Sequence, residues 1–174
     1  MRKIILLLFA VAILMGCATT YYDSKGNPVP KEQMAMLKAK AVRAHLQDRR
    51  YRVFVDRVYP MRGPSYPLRD DWGIEVSGDS VGLFLPYFGR VFQVPYGKGL
   101  GLNLVSPLDS YEEETIKDGV RVTMRTHSEV ESFLIVMEAY NNATVDLTVS
   151  PSGREIIRFS GEMQLNDVFR IVQK

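Results

Sequence analysis

VRVTMRTHSEVESFLIVMEAYNNATVDLTV, Val120 to Val149, decides the fold of this 174-residue chain. Val120, Val122 and Met124 alternate with Arg121, Thr123 and Arg125, and Val145, Leu147 and Val149 alternate with polar neighbours. Successive side chains of a strand point to opposite faces, so each segment has one apolar and one polar face. Between them Phe133 to Met137 is apolar without a break, as expected of a strand covered on both sides. Asn141-Asn142 marks a turn. Read as a two-residue turn, it sets Leu134 and Val136 beside Val145, Leu147 and Val149 on one core face. Phe133, Ile135 and Met137 then face the other way, covered by a helix or by a curling of the sheet.

Outward from this segment the period of two continues. EIIRFSGEM follows the turn Pro151-Ser152-Gly153, and YEEE precedes the turn Lys117-Asp118-Gly119. Short connections join only antiparallel neighbours, so Tyr111 to Met163 reads as a meander. Glu112, Glu113 and Glu114 read as a charged edge strand, partly paired with Arg121 and Arg125. Upstream, Tyr51, Val53 and Val55 share a face, as do Trp72, Ile74 and Val76, and Gly78-Asp79 turns into SVGLFL. Lys31 to Arg49 is the one helix, rich in Ala, Leu, Met, Lys and Gln, with Ala35, Ala39, Val42 and Leu46 on one stripe. The fold class expected is α+β, mainly antiparallel β, with one N-terminal helix packed on a curved antiparallel sheet or half-barrel of about eight strands.

The N-terminus carries an address. Arg2 and Lys3 precede the apolar run Ile4 to Leu14, and LMGC, Leu14 to Cys17, has the order of a bacterial lipobox. The run is a signal-peptide h-region, short of the roughly 20 residues of a bilayer span. Residues 1–16 are therefore expected to be removed, leaving Cys17 as the lipid attachment point. Two or more acyl chains there would anchor the protein stably. This uses the only cysteine and excludes disulfides and thiolate sites from the mature monomer. Residues 17–30 read as anchor and tether, and residues 31–174 as a single β-rich domain. No Asp follows Cys17 and no acids cluster at Ala18 to Thr20, which favours the periplasmic face of the outer membrane. Removing Arg2 and Lys3 from the 22 basic residues leaves 20 against 20 acidic ones. A neutral domain lacks the electrostatic footprint of a nucleic-acid binder, and no nucleic-acid partner is expected.

FLPYFGRVFQVPYGKGLGLN, Phe84 to Asn103, is the densest stretch of chemistry. Aromatic rings beside an arginine suit stacking on a sugar or a peptide. Tyr87, Phe88, Arg90 and Tyr96 are expected to line one concave surface, with Tyr59 and Arg62 of the turn Tyr59-Pro60-Met61-Arg62-Gly63 nearby.

PMRG (Pro60 to Gly63), GDSV (Gly78 to Val81), LPYFGR (Leu85 to Arg90), PYGKGLGLN (Pro95 to Asn103) and REIIRFSGEM (Arg154 to Met163) occur here in a familiar order. In that order they resemble Bacteroidales-type envelope lipoproteins catalogued only as domain of unknown function 4251. The resemblance spans about Arg49 to Met163 and implies no activity or catalytic residue. Tyr140-Asn141-Asn142 departs from the Asn-Gly expected at that turn. Asp79-Ser80-Val81 also resembles the acceptor motif for O-glycosylation in such envelopes, which makes Ser80 a candidate modification site.

No catalytic constellation is evident. His45 and His127 are far apart without metal-ligand spacing, and there is no GxSxG elbow. No cofactor and no metal site are expected. The reading is a lipid-anchored module that binds a ligand or assembles with an envelope protein or glycan. The alternatives are a glycan-acting hydrolase using paired carboxylates among Asp70, Asp71, Glu75 and Asp79, or a purely structural envelope lipoprotein.

Overall fold

The computed structural model describes residues 21–22, 25–93 and 101–166, so Cys17 and Tyr96, singled out in the sequence, lie outside the described residues. Residues 1–35 and 36–174 form two compact units, the boundary falling within the helix. In the first, β1 (Tyr21–Tyr22) and β2 (Pro28–Val29) pair antiparallel, Tyr21 opposite Val29 and Tyr22 opposite Pro28. The stretch read from sequence as a plain tether thus contains a short ladder. Gly26 lies at φ 81° between its strands, a value that costs a glycine little.

The helix α1 spans Lys31–Gln47. Of its expected stripe only Val42 and Leu46 are buried, and both join the core cluster of the second unit. Ala35 is exposed, as are Met36 and Leu37, so the helix packs through its C-terminal half. Its end is closed locally. Arg49, at φ 47°, donates its N–H to Leu46 O at 2.9 Å, and His45 Nδ1 lies 2.8 Å from Arg50 O. A carbonyl only accepts, so that nitrogen carries the proton.

The remaining strands are β3 (Arg50–Tyr59), β4 (Tyr66–Pro67), β5 (Gly73–Ser77), β6 (Ser80–Leu85), β7 (Leu102–Ile116), β8 (Gly119–His127), β9 (Ser132–Tyr140), β10 (Thr144–Pro151) and β11 (Ile157–Gln164). From β5 onward each pairs antiparallel with the next, and β3 pairs with β5. The sheet then closes on itself, because β11 also pairs antiparallel with β3, from Arg158 opposite Tyr59 to Gln164 opposite Arg52. The expected fold, one helix with a curved antiparallel sheet or half-barrel of about eight strands, is found, with the sheet curved as far as closure into a barrel. Eight of the nine strands form its wall, and β4 adds two residues beside β3.

Inward-pointing side chains fill the lumen. Val53, Val55, Ile74, Val76, Val81, Val122, Met124, Ile135, Met137 and Val149 are wholly shielded from solvent. A barrel of about eight strands is just wide enough to be filled this way.

The register of β9 and β10 differs from the two-residue-turn reading. Ala139 pairs with Val145, Met137 with Leu147 and Ile135 with Val149. The loop has three residues, Asn141 to Ala143, and its last residue takes the left-handed conformation at φ 67°. One extra residue slips the register by one and exchanges the two faces of the strand. Phe133, Ile135 and Met137 therefore face the core, while Leu134 and Val136 are half-buried on the outer wall.

β7 pairs with β6 only as far as Pro107, and from there to Ile116 it pairs only with β8 among the described residues. The exposed Glu112, Glu113 and Glu114 occupy this free edge, as expected of a blunted edge. Arg121 bridges Glu114 and Glu138, each at 2.8 Å.

The closure has a tight point. The β11–β3 register shifts at Ser160/Gly161, and a Cβ on Gly161 would collide with Phe54 O and come within 2.8 Å of Val55 Cα. Backbone on both sides cannot yield cheaply. Gly161→Ala is expected to cost about 3 kcal/mol or more in urea unfolding, while Ser160→Ala stays within about 1.5 kcal/mol. Equal, small effects would show that the seam tolerates a side chain.

The buried Tyr51 hydroxyl lies 3.4 Å from that of Tyr111, and the Arg49 guanidinium lies 4.5 Å above the Tyr111 ring. Burial, ahead of neighbouring charges, pushes Tyr111 up to about 12. Unfolded tyrosines titrate near 10, so its contribution to stability is complete below about pH 10 and lost as pH climbs toward 12. Tyr111→Phe is expected to change stability at pH 7 by no more than about 1 kcal/mol and to make the loss of stability across that alkaline window shallower.

Candidate functional site

The barrel has two unlike ends. The connections 78–79, 117–118 and 141–143 are tight turns at one end, and the helix enters β3 there. The connections 60–72, 86–101, 128–131 and 152–156 all emerge at the other. With the lumen filled, only this end has loops long enough to shape a site.

Tyr87 pins two of these loops together. Its ring is half-buried, and its hydroxyl hydrogen is shared between Arg90 O at 2.8 Å and Glu155 O at 3.0 Å. Burial is the leading cause that pushes its ionisation up, so it stays a donor. Arg90 and Glu155 exchange further bonds: Glu155 N–H donates to Arg90 O at 3.0 Å, and Arg90 N–H to Glu155 Oε2 at 3.2 Å. Phe92 N–H donates to Gly153 O at 2.8 Å.

A buried ion pair braces the same loops. Glu131 and Arg154 meet at 3.1 Å, with about one-twentieth of each side chain exposed. Glu131 Oε1 also accepts Gly153 N–H at 3.2 Å, and the Arg154 guanidinium lies 5.3 Å from the Tyr87 ring.

Above this platform lies an open cleft of about 560 Å³. Tyr66, Leu68 and Phe88 give it an apolar lining, and Arg62, Arg90 and Glu155 supply its charge. The rings of Tyr66 and Phe88, 46% and 47% exposed, lie 6.1 Å apart and tilted by 41°. Arg62 approaches Glu155 at 3.7 Å with two-thirds of its side chain exposed. The Arg90 guanidinium takes no ion pair or hydrogen bond among the described residues. Met61 and Phe92, both exposed, extend the apolar surface beyond the cleft.

Of the residues singled out in the sequence, Arg62, Phe88 and Arg90 share this cleft. Tyr87 turns inward beneath it. Tyr59 lies elsewhere, on the outer wall, 3.3 Å from Ser160 Oγ and beside Glu138, Asp146 and Arg158. Ser80 begins β6, half-buried, next to the exposed Asp79. Tyr66, Leu68 and Glu155 went unnoticed in the sequence, although Glu155 sits inside REIIRFSGEM and Tyr66 just past PMRG. Trp72, expected beside Ile74 and Val76, precedes β5 and stacks on Phe84 at 4.5 Å.

Of the acids considered for hydrolysis, Asp71 and Glu75 meet on one guanidinium, that of Arg52, and Asp79 pairs elsewhere. Asp71 pairs with Arg52 at 2.7 Å, the fully buried Glu75 with Arg52 at 3.5 Å, and Asp79 with Arg49 at 3.3 Å. His127 meets Asp109 at 2.8 Å, but Ser106 Oγ donates to the His127 backbone carbonyl rather than touching the ring. Among the described residues no cluster of three His, Cys, Asp or Glu is placed to hold a metal. No helix among them is long and apolar enough to cross a membrane.

The sequence profile of the family described as "Domain of unknown function (DUF4251)" matches residues 33–163. The crystal structure of a DUF4251 family protein from Bacteroides eggerthii DSM 20697 is similar in fold, with a TM-score of 0.60 and 15% identity over 74% of this chain and 87% of that one. No curated protein is similar to the chain at a significant level.

If the Glu131–Arg154 pair braces the loops, Glu131→Ala takes the carboxylate from a buried guanidinium and is expected to cost about 3 kcal/mol. Amide exchange at 86–93 and 152–156 should rise with it. Arg62→Ala, at an exposed pair, should cost no more than about 1 kcal/mol. Similar costs for the two would remove the brace.

Proposed function

This chain belongs to the DUF4251 family, and from that premise we propose that it is an envelope lipoprotein, anchored through acylated Cys17, whose loop-end cleft captures a ligand or partner. The observation that carries the reading is the cleft itself: two half-exposed rings and a guanidinium with no ion pair or hydrogen bond among the described residues, on a braced platform at the end of a filled barrel that carries the longer loops. Exposed aromatic groups are costly to leave uncovered unless they meet something. The platform argues for preorganisation, since a binding surface that is already ordered loses less entropy on association.

The lipobox supports the address. With the signal removed, Cys17 would hold the domain at the periplasmic face of the outer membrane, and residues 18–30 would separate it from the lipid.

Two measurements test this reading. Cys17→Ser is expected to move the protein from the detergent-extractable fraction to the soluble one, and full retention would end the anchor proposal. A photo-crosslinking residue at Met61 should capture a specific species in cells, and Phe88→Ser should abolish that capture without lowering thermal stability. A crosslinker at Thr144, near the tight-turn end, should capture nothing specific. Equal capture from both positions, or capture indifferent to Phe88→Ser, would overturn the binding role.

A further inference from the structure

We propose that the cleft recognises an acidic saccharide, an inference that rests on the binding role given above and names its ligand class. Three observations converge on it.

The charge at the rim is unbalanced. Arg62 and Arg90 face a single carboxylate, Glu155, whose Oε1 lies 3.7 Å from Arg62 and whose Oε2 is used by the Arg90 backbone N–H. The Arg90 guanidinium, on an exposed residue at the cleft and without an ion pair or hydrogen bond among the described residues, has its planar fork of donors available. Such a fork suits a carboxylate or phosphate, which it can bind with two parallel hydrogen bonds.

The lining is apolar and carries two ring surfaces tilted to one another. The exposed faces of Tyr66 and Phe88 accept the C–H face of a pyranose ring, while the ring's hydroxyls stay free to meet arginine donors and the Glu155 carboxylate. A volume of about 560 Å³ falls in the small-ligand range of about 300–1,000 Å³.

The wall argues against an extended peptide. β4 is the short strand nearest the cleft, and strand addition would need free backbone N–H groups along it. Its second residue is Pro67, and Pro60 also lines the cleft, so two of the wall's positions have no N–H to give. Recognition must run through side chains, which is how saccharides are held.

Titration calorimetry of the mature protein separates the outcomes. The probes are trigalacturonate, a phosphorylated maltotriose, neutral maltotriose and an acidic peptide, acetyl-Glu-Phe-Glu-amide. At least one acidic trisaccharide is expected to bind about tenfold or more tightly than maltotriose, with the carboxylated and phosphorylated probes telling which anion is preferred. Arg90→Ala should remove that preference, Arg90→Lys should restore part of it, and Phe88→Ser should weaken both acidic and neutral sugars. Tighter binding of the peptide, an unchanged preference in Arg90→Ala, or no binding of either acidic trisaccharide at millimolar concentration would each overturn the inference. If no saccharide binds while the Met61 crosslink still depends on Phe88, the binding role stands and the ligand class falls. If that dependence is lost as well, both fall.

Discussion

Closure of β11 onto β3 is the constraint on which the rest of the molecule depends. An open antiparallel sheet leaves rows of unpaired N–H and C=O groups at its margins, and a barrel disposes of them by pairing the last strand with the first. Here that pairing needs a bulge at Ser160/Gly161, and the bulge needs a residue with no side chain, because Phe54 O and Val55 Cα occupy the space a Cβ would take. The FSGEM stretch is thus a seam. Once it closes, the alternating apolar side chains of the wall strands have one place to go and fill the lumen. The filled lumen leaves the rim as the place where loops can shape a cleft.

The rim is asymmetric because the chain spends its residues unevenly. Two- and three-residue turns close one end, and the helix covers part of the core there through Val42 and Leu46. The other end collects four longer connections, which would be mobile if each stood alone. Three of them are instead tied together by Tyr87, whose hydroxyl reaches two backbone carbonyls, and by the buried Glu131–Arg154 pair. A buried ion pair is a poor source of net stability compared with apolar packing, but it is specific about geometry: each charge must find its partner or remain stranded. At this rim the pair fixes the connection 152–156, which carries Glu155 into the cleft.

Much of this architecture was legible in the sequence, and the failures share a cause. Alternation located the strands from Tyr51 to Met163, and the run of Ala, Met and Lys located the helix. What alternation does not specify is how many residues a turn consumes. Asn141-Asn142 read as a two-residue loop, Ala143 took the left-handed position that a glycine would ordinarily fill, and the faces of β9 exchanged. The candidate site failed in a similar way. Tyr87 and Phe88 are adjacent and chemically alike, yet one points into the platform and the other into the cleft. Tyr66 and Glu155 reach the cleft from segments 89 residues apart in number, and no local pattern joins them. Tyr59 was misplaced for the opposite reason: proximity in sequence to Arg62 suggested proximity in space, but Tyr59 still belongs to β3 and projects from the wall.

Electrostatics gives the cleft its character. Without its first two cations the chain carries equal numbers of basic and acidic residues, so no long-range field draws a charged ligand in. Salt at physiological strength screens exposed charges beyond about 8 Å in any case. The excess of Arg62 and Arg90 over Glu155 is therefore felt only on contact, where the half-exposed rings of Tyr66 and Phe88 are felt as well. A site that binds as proposed would select by simultaneous fit of an apolar face and an anion a few ångströms from it. Either feature alone is common among lipids, sugars and charged polymers. Requiring both would let such a site discriminate without help from a long-range field.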